Sequence, residues 1–150
     1  MAASNTVFTR QMLPSDANPS GNIHGGEIMK IIDSCAGVAA ARHARRRVVT
    51  ARIDELSFLA PVLVGDVVTA RASVNDVGGT SLEVGVRVEA ENVVSGEARH
   101  VASAYLVFVA LDERGRPVPV PPIIAESPAE RGRMANAKLR RAHRLARNRG

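Results

Sequence analysis

From Gly26 to about His43 the apolar residues recur with a helical period, and after Arg47 most of the chain as far as Asp112 alternates with period two. One long helix followed by four long strands leaves few ways to bury everything apolar. At 100° per residue Ile28, Ile31, Ile32, Cys35 and Ala39 share one face, with Lys30, Ser34 and Ala41 opposite. The second half of this helix, AGVAAA from Ala36 to Ala41, is made of small residues that permit close backbone approach. The cleanest strand is Ser81–Val94, where Leu82, Val84, Val86, Val88 and Ala90 alternate with Glu83, Gly85, Arg87, Glu89 and Glu91. Others are expected over Val48–Phe58, Val67–Val77 and Ala98–Asp112, separated by Gly65-Asp66, Gly78-Gly79 and Ser95-Gly96, with an earlier strand near Thr6–Leu13. The order β-α-β-β-β-β predicts an α+β fold in which the last four strands form an antiparallel meander and the helix covers one face. Strands this long must bend around the helix, and the open edges call for pairing with a second copy.

The chain has 150 residues, which fits one core rather than two. No apolar run approaches the length of a membrane span, and MAASNTVFTR lacks a signal-peptide pattern, so a soluble cytoplasmic protein is expected. Cys35 is the only cysteine and reads as a small buried hydrophobe, which leaves neither a disulfide nor a metal site of the usual cysteine type. The net charge of +5 resides in the tail: residues 126–150 carry eight Lys/Arg and two acids, residues 1–125 twelve and thirteen. Charge confined to a tail, with few aromatics, disfavours specific nucleic-acid recognition. PVPVPPII, from Pro117 to Ile124, forbids helix and suits an extended exit. The expected domains are therefore 1–125 and a basic tail, 126–150, partly helical or disordered, for which Ser127-Pro128 offers a helix start.

The chemistry concentrates in LPSDANPSGNIHGGEIMKIID, residues 13–33. A dense run of turn-forming residues ends in His24-Gly25-Gly26 at the mouth of the helix. Unpaired N–H groups at Gly25 and Gly26, together with the helix dipole, suit an oxyanion or a polarised carbonyl. On the helical wheel Asp33 lies on the border between the apolar and polar faces, from which an acid can reach a crevice.

PSDANPSGNIHGG, IMKIID with the Ala-rich helix after it, VVTARIDELSFLAPVLVGD and AYLVFVALDERGRP together resemble the hotdog-fold acyl-CoA thioesterases, in the group of bacterial YciA and the cytosolic acyl-CoA hydrolases of animals. The resemblance spans about residues 6–118 and implies a curved antiparallel sheet wrapped around one long central helix, with paired subunits. It further implies that Asp33 acts as general base or nucleophile. Asn22, otherwise a turn or cap residue, would position water or substrate, with the two residues coming from different subunits. The thioester carbonyl would lie against the N–H groups near Gly25 and Gly26. His24 is either a structural residue of the loop or a proton-transfer group.

Coenzyme A phosphates require cations or backbone donors. The turn Gly78-Gly79-Thr80-Ser81 resembles the family's nucleotide-contacting turn, and is otherwise an ordinary hairpin turn. Arg45, Arg46 and Arg47 follow the helix, where they complement its dipole or meet the phosphates of coenzyme A. The expected activity is hydrolysis of an acyl-CoA thioester by a dimer, or a trimer of dimers, with no metal or cofactor. The rival reading is a non-catalytic acyl-CoA-binding hotdog module, or a regulator whose basic tail meets a polyanion.

Overall fold

The computed structural model describes residues 4–149. Strand β1 (Thr6–Gln11) and a short 3-10 turn (Pro14–Asp16) lead into helix α1 (Gly25–Ala44). Then come β2 (Arg47–Phe58), β3 (Val67–Gly78), β4 (Ser81–Glu91), β5 (Ala98–Leu111) and a second helix, α2 (Pro128–Arg149). The strands form one antiparallel sheet in the order β1-β3-β4-β5-β2. Helix α1 packs on one face through Ile28, Ile31, Ile32, Cys35, Ala36, Ala39 and Ala40, against Val68, Val74, Val84, Leu106 and their neighbours. Alanines on both sides let helix and sheet come close, so dispersion contacts replace side-chain bulk. Burial pushes the Cys35 thiol up to about 11.

Only β3, β4 and β5 form the expected meander; β2 pairs with β5 at one edge and β1 with β3 at the other. The reason lies in residues 59–66, which do not make a tight turn. Leu59 N–H donates to Val101 O, Gly65 N–H to Met12 O, and Met12 N–H to Asp66 O. The connection is thus laid across the end of the sheet, and delivers β3 beside β1. By contrast Gly78 pairs with Ser81 across a two-residue turn, with Gly79 at φ +71°.

The C-terminal segment, expected as a basic tail, partly helical or disordered, is a helix that docks on the body. Residues 117–127 are extended, but they pack back on the body: Val120 N–H donates to Gly79 O, Val118 N–H to Ala110 O, and Val120 and Ile123 are buried. Ser127 Oγ accepts from Glu130 N–H at 3.1 Å and Glu130 Oε1 from Glu126 N–H at 3.1 Å, which caps α2 at its proline-started N-terminus. Helix α2 then lies on the sheet face opposite α1. Arg140 makes a bidentate pair with Glu83 (2.6 and 3.0 Å), and Arg141 reaches Asp76 (3.0 Å) and the carbonyl of Val77 (3.1 Å). Arg144 bonds Asp54 and lies 3.4 Å from Glu83. The carboxylates are buried, with side-chain exposures of 5% at Asp54, 6% at Asp76 and 2% at Glu83. Bulges in β2 and β3, at Asp54 and Asn75, are part of this arrangement: an extra residue in one strand re-aims a side chain that the pleat would otherwise direct elsewhere.

Candidate active site

The loop before α1 is held by its own backbone and side chains. Asn18 Oδ1 accepts from Ser20 N–H (3.0 Å) and Asn22 N–H (3.2 Å), and Asn18 N–H donates to Asn22 O at 2.7 Å. Asp16 Oδ2 accepts from Leu13 N–H at 2.8 Å, and His24 N–H donates to Asp16 O at 2.9 Å. His24 is the residue preceding the helix; its carbonyl accepts from Glu27 N–H at 3.0 Å, and its exposed ring makes no capping bond. Gly25 and Gly26 therefore present N–H groups that the helix itself cannot satisfy. Their glycines serve different ends. A Cβ on Gly25 would meet the Phe58 ring at 3.4 Å, whereas one on Gly26 would meet nothing within 4 Å. This corner opens on a cavity of about 430 Å³, where the Asn18 and Asn22 amides and Gly25 face apolar walls from Ile23, Ile28 and the segment Phe58–Val62.

Asp33 is on the same helix but elsewhere. Eight residues beyond Gly25 places it roughly 12 Å further along the axis, out of hydrogen-bonding reach of the glycine N–H groups of its own chain. Asp33 is exposed on the flank of α1 that faces β2, where its Oδ1 accepts from Thr50 Oγ1 at 2.7 Å. The hydroxyl fixes one carboxylate oxygen and leaves the other open.

The candidate coenzyme A contacts lie at this second end. Across the ladder, Ser81 pairs with Val109 and Val109 with Val49, so the turn at Gly78–Ser81 is two strands, roughly 10 Å, from the β2 residues beside Thr50. Arg47 is exposed opposite Leu111 at the start of β2. The turn is not free on every side: Ser81 Oγ donates to Gly78 O at 3.1 Å, and the Arg141 side chain occupies the space that a Cβ on Gly78 would need. The structure thus gathers Asn22, His24, Gly25 and Gly26 at one end. Asp33, Arg47 and the turn Gly78, Gly79, Thr80, Ser81 are at the other. Sequence reasoning missed Asn18 and Thr50. Asn18 stands in the DANPSG run two residues after Asp16; Thr50 stands in the VVTARIDELSF segment that carries the resemblance, but no local pattern singles it out, because only the packing of β2 on α1 brings it to Asp33. Among the described residues no three His, Cys, Asp or Glu side chains gather as a metal site.

Residues 20–97, which run from this loop through all of β2, β3 and β4, match the family model of the Thioesterase superfamily. The chain belongs to that family. Over 127 residues it is 42% identical to the uncharacterized acyl-CoA thioester hydrolase YkhA of Bacillus subtilis, covering 85% of this chain and 74% of the relative. It is 36% identical over 139 residues to the human cytosolic acyl coenzyme A thioester hydrolase, covering 91% of this chain; the chain spans about a third of the length of that relative, 37%. Among solved structures, an apo-hexameric acyl-CoA thioesterase superposes with a TM-score of 0.94 at 37% identity, over 98% of this chain and 94% of that one. An acyl-CoA hydrolase from Staphylococcus aureus, in complex with butyryl coenzyme A, coenzyme A and coenzyme A disulfide, superposes with a TM-score of 0.91 at 36% identity, over 99% and 90%. Both superpositions extend over α2. The Staphylococcus enzyme has also been solved with an asparagine, an aspartate fifteen residues later and a threonine seventeen beyond that, each replaced by alanine. The hotdog fold expected from sequence is the fold observed.

Proposed function

We propose that Asp33 is the acid that drives acyl-CoA thioester hydrolysis, and that it acts on a thioester held by the helix N-terminus of a second subunit. The protein is an acyl-CoA thioester hydrolase. The observation that carries the assignment is the Asp33–Thr50 bond on an exposed helix flank, about 12 Å from the glycines of its own chain. Asn18, Asp33 and Thr50 repeat the residue types and the fifteen- and seventeen-residue intervals of the positions replaced in the Staphylococcus enzyme. That spacing supports Asn18, with its amide at the cavity mouth, as the positioning asparagine, and leaves Asn22 to shape the loop.

The chemistry then requires only water as co-reactant. Asp33, oriented by Thr50, takes a proton from water as its oxygen bonds to the thioester carbon. The resulting oxyanion is stabilised by the N–H groups of Gly25 and Gly26 in the partner; in well-studied enzymes one such donor contributes about 3–4 kcal/mol. Collapse breaks the C–S bond, and the departing thiolate takes the proton to give coenzyme A and the free acid. Direct attack by Asp33 would instead give an acyl-enzyme anhydride. Neither route uses a metal or redox cofactor. Phosphates of coenzyme A would meet Arg47 and the N–H groups of the Gly78–Ser81 turn.

The two-subunit reading draws support from the free edge of β2 and from exposed Val49, Ile53, Phe58, Leu59 and Leu63 along and after it. We assign the pairing edge to β2 and a dimer, or a trimer of dimers, to the assembly. Among the described residues no helix is long and apolar enough to cross a membrane, and a cytoplasmic setting fits the name of the human relative.

Asp33→Asn should lower kcat by roughly 10²–10⁴ with folding retained, measured by thiol release from acyl-CoA. Asn18→Ala should cost more activity than Asn22→Ala. Unfolding and refolding a mixture of Asp33→Asn and Asn18→Ala chains should restore about a quarter of wild-type activity, because each mixed dimer regains one intact site. A mixture no more active than its components would rule out a site shared between chains. Binding of acyl-CoA without any turnover would favour the sensor reading.

A further inference from the structure

On the sheet face away from α1, strands β3, β4 and β5 and helix α2 enclose a cavity of about 340 Å³. Four arginines line it: Arg71 from β3, Arg87 from β4, and Arg133 and Arg140 from α2. Arg140 is neutralised by its bidentate pair with Glu83 and covers the Tyr105 ring at 3.7 Å. The other three are left with a single carboxylate, since Arg87 pairs with half-buried Glu89 at 3.2 Å, while the side chains of Arg71 and Arg133 have no hydrogen-bond or ion-pair partner among the described residues. Arg71 and Arg87 are moreover direct cross-strand partners. Like charges placed so are destabilising unless an anion lies between them.

A second, independent feature points to the same space. Asn75, at the bulge of β3, is 1% exposed and lines the cavity. Its Nδ2 donates to Glu83 Oε1 at 3.2 Å, but its buried Oδ1 has no donor. Burying an acceptor without a partner is unfavourable, so a complementary ligand carries a hydrogen-bond donor beside its negative charge.

We propose that this cavity binds the phosphoryl group of a small molecule. A phosphate offers three oxygens to guanidinium groups arriving from the strands and from α2, whereas one carboxylate is matched by a single bidentate arginine. A protonated phosphate oxygen, or a hydroxyl of the esterified alcohol, supplies the donor for Asn75 Oδ1. The site is on the face opposite Asp33 and the α1 glycines, so its occupant is a ligand that clasps α2 to the sheet rather than a substrate.

The test titrates the full-length protein with inorganic phosphate and, in parallel, with adenosine monophosphate, at ionic strength held constant with sodium chloride, by calorimetry and thermal melting. Saturable binding with a rise in Tm is expected, weakened at least tenfold in both Arg71→Gln and Arg133→Gln, with kcat on acyl-CoA at the wild-type value. Tighter binding of the nucleotide would identify a phosphate ester as the ligand, and equal or weaker binding inorganic phosphate. Should circular dichroism show Arg71→Gln misfolded, Arg87→Gln takes its place. Absence of saturable binding by either probe overturns the proposal, as does undiminished binding in either variant. A change of oligomeric state in the strand variant would do so too, because a neighbouring subunit's carboxylate would then be the natural occupant.

Discussion

Helix α1 meets the sheet with Ile28, Ile32, Cys35, Ala36, Ala39 and Ala40, while α2 meets the other face of the same sheet with Arg140, Arg141 and Arg144, set against Asp54, Asp76 and Glu83. The first contact is non-directional and owes its strength to dry, close-packed area. The second is directional: each guanidinium must reach its own carboxylate, so a shift of one residue along α2 would leave buried charges unpaired. Assembling such pairs contributes little net stability, since desolvation offsets attraction, but breaking one is costly. One face is therefore tolerant of conservative exchange and the other intolerant of it, although the tolerant face is the hydrophobic core.

The largest effect should come from breaking the ionic side alone. Arg140→Met leaves Glu83 covered by α2 without its bidentate partner, and unfolding in urea should show a loss of about 3–5 kcal/mol. Removing residues 126–150 altogether should cost less, about 2–3 kcal/mol, because water then reaches the carboxylates and the core around α1 remains intact. If the truncated chain proves less stable than Arg140→Met, α2 is part of the core rather than a charged cover. On the other face Ala39→Leu should cost about 1–3 kcal/mol through overpacking, read from the same urea midpoints. The smallest effect concerns Cys35. Its thiol rises from the usual 9.0 to about 11 by burial, so the folded protein holds a proton that the unfolded chain releases. Its contribution is fully present below about pH 9 and is lost as pH climbs towards 11. Between those limits the urea midpoint of the wild type should fall more steeply with pH than that of Cys35→Ala, and parallel curves would show that the thiol is not protected.

These contrasts also mark how far local pattern could be read. The apolar face of α1 follows from spacing alone, because 3.6-residue periodicity and burial are one fact seen twice. The strands and the Gly78-Gly79 turn are legible for a similar reason. The docking of α2 is not, since RGRMANAKLRRAHRLARNRG has the composition of a solvated tail. Its partners, Asp54, Asp76 and Glu83, stand on three different strands.

At the candidate site the same division holds. The glycines at the head of α1, the turn-rich loop and the acid at Asp33 are determined by sequence, because a helix start and a face position are local properties. Tertiary structure decided that β2 pairs with β5, which sets Thr50 2.7 Å from Asp33, whereas the roughly 12 Å between Gly25 and Asp33 follows from helix rise alone. Strand pairing and the facing of charges across a sheet depend on contacts between residues distant in the chain, whose energies appear only once loops such as residues 59–66 have chosen their path.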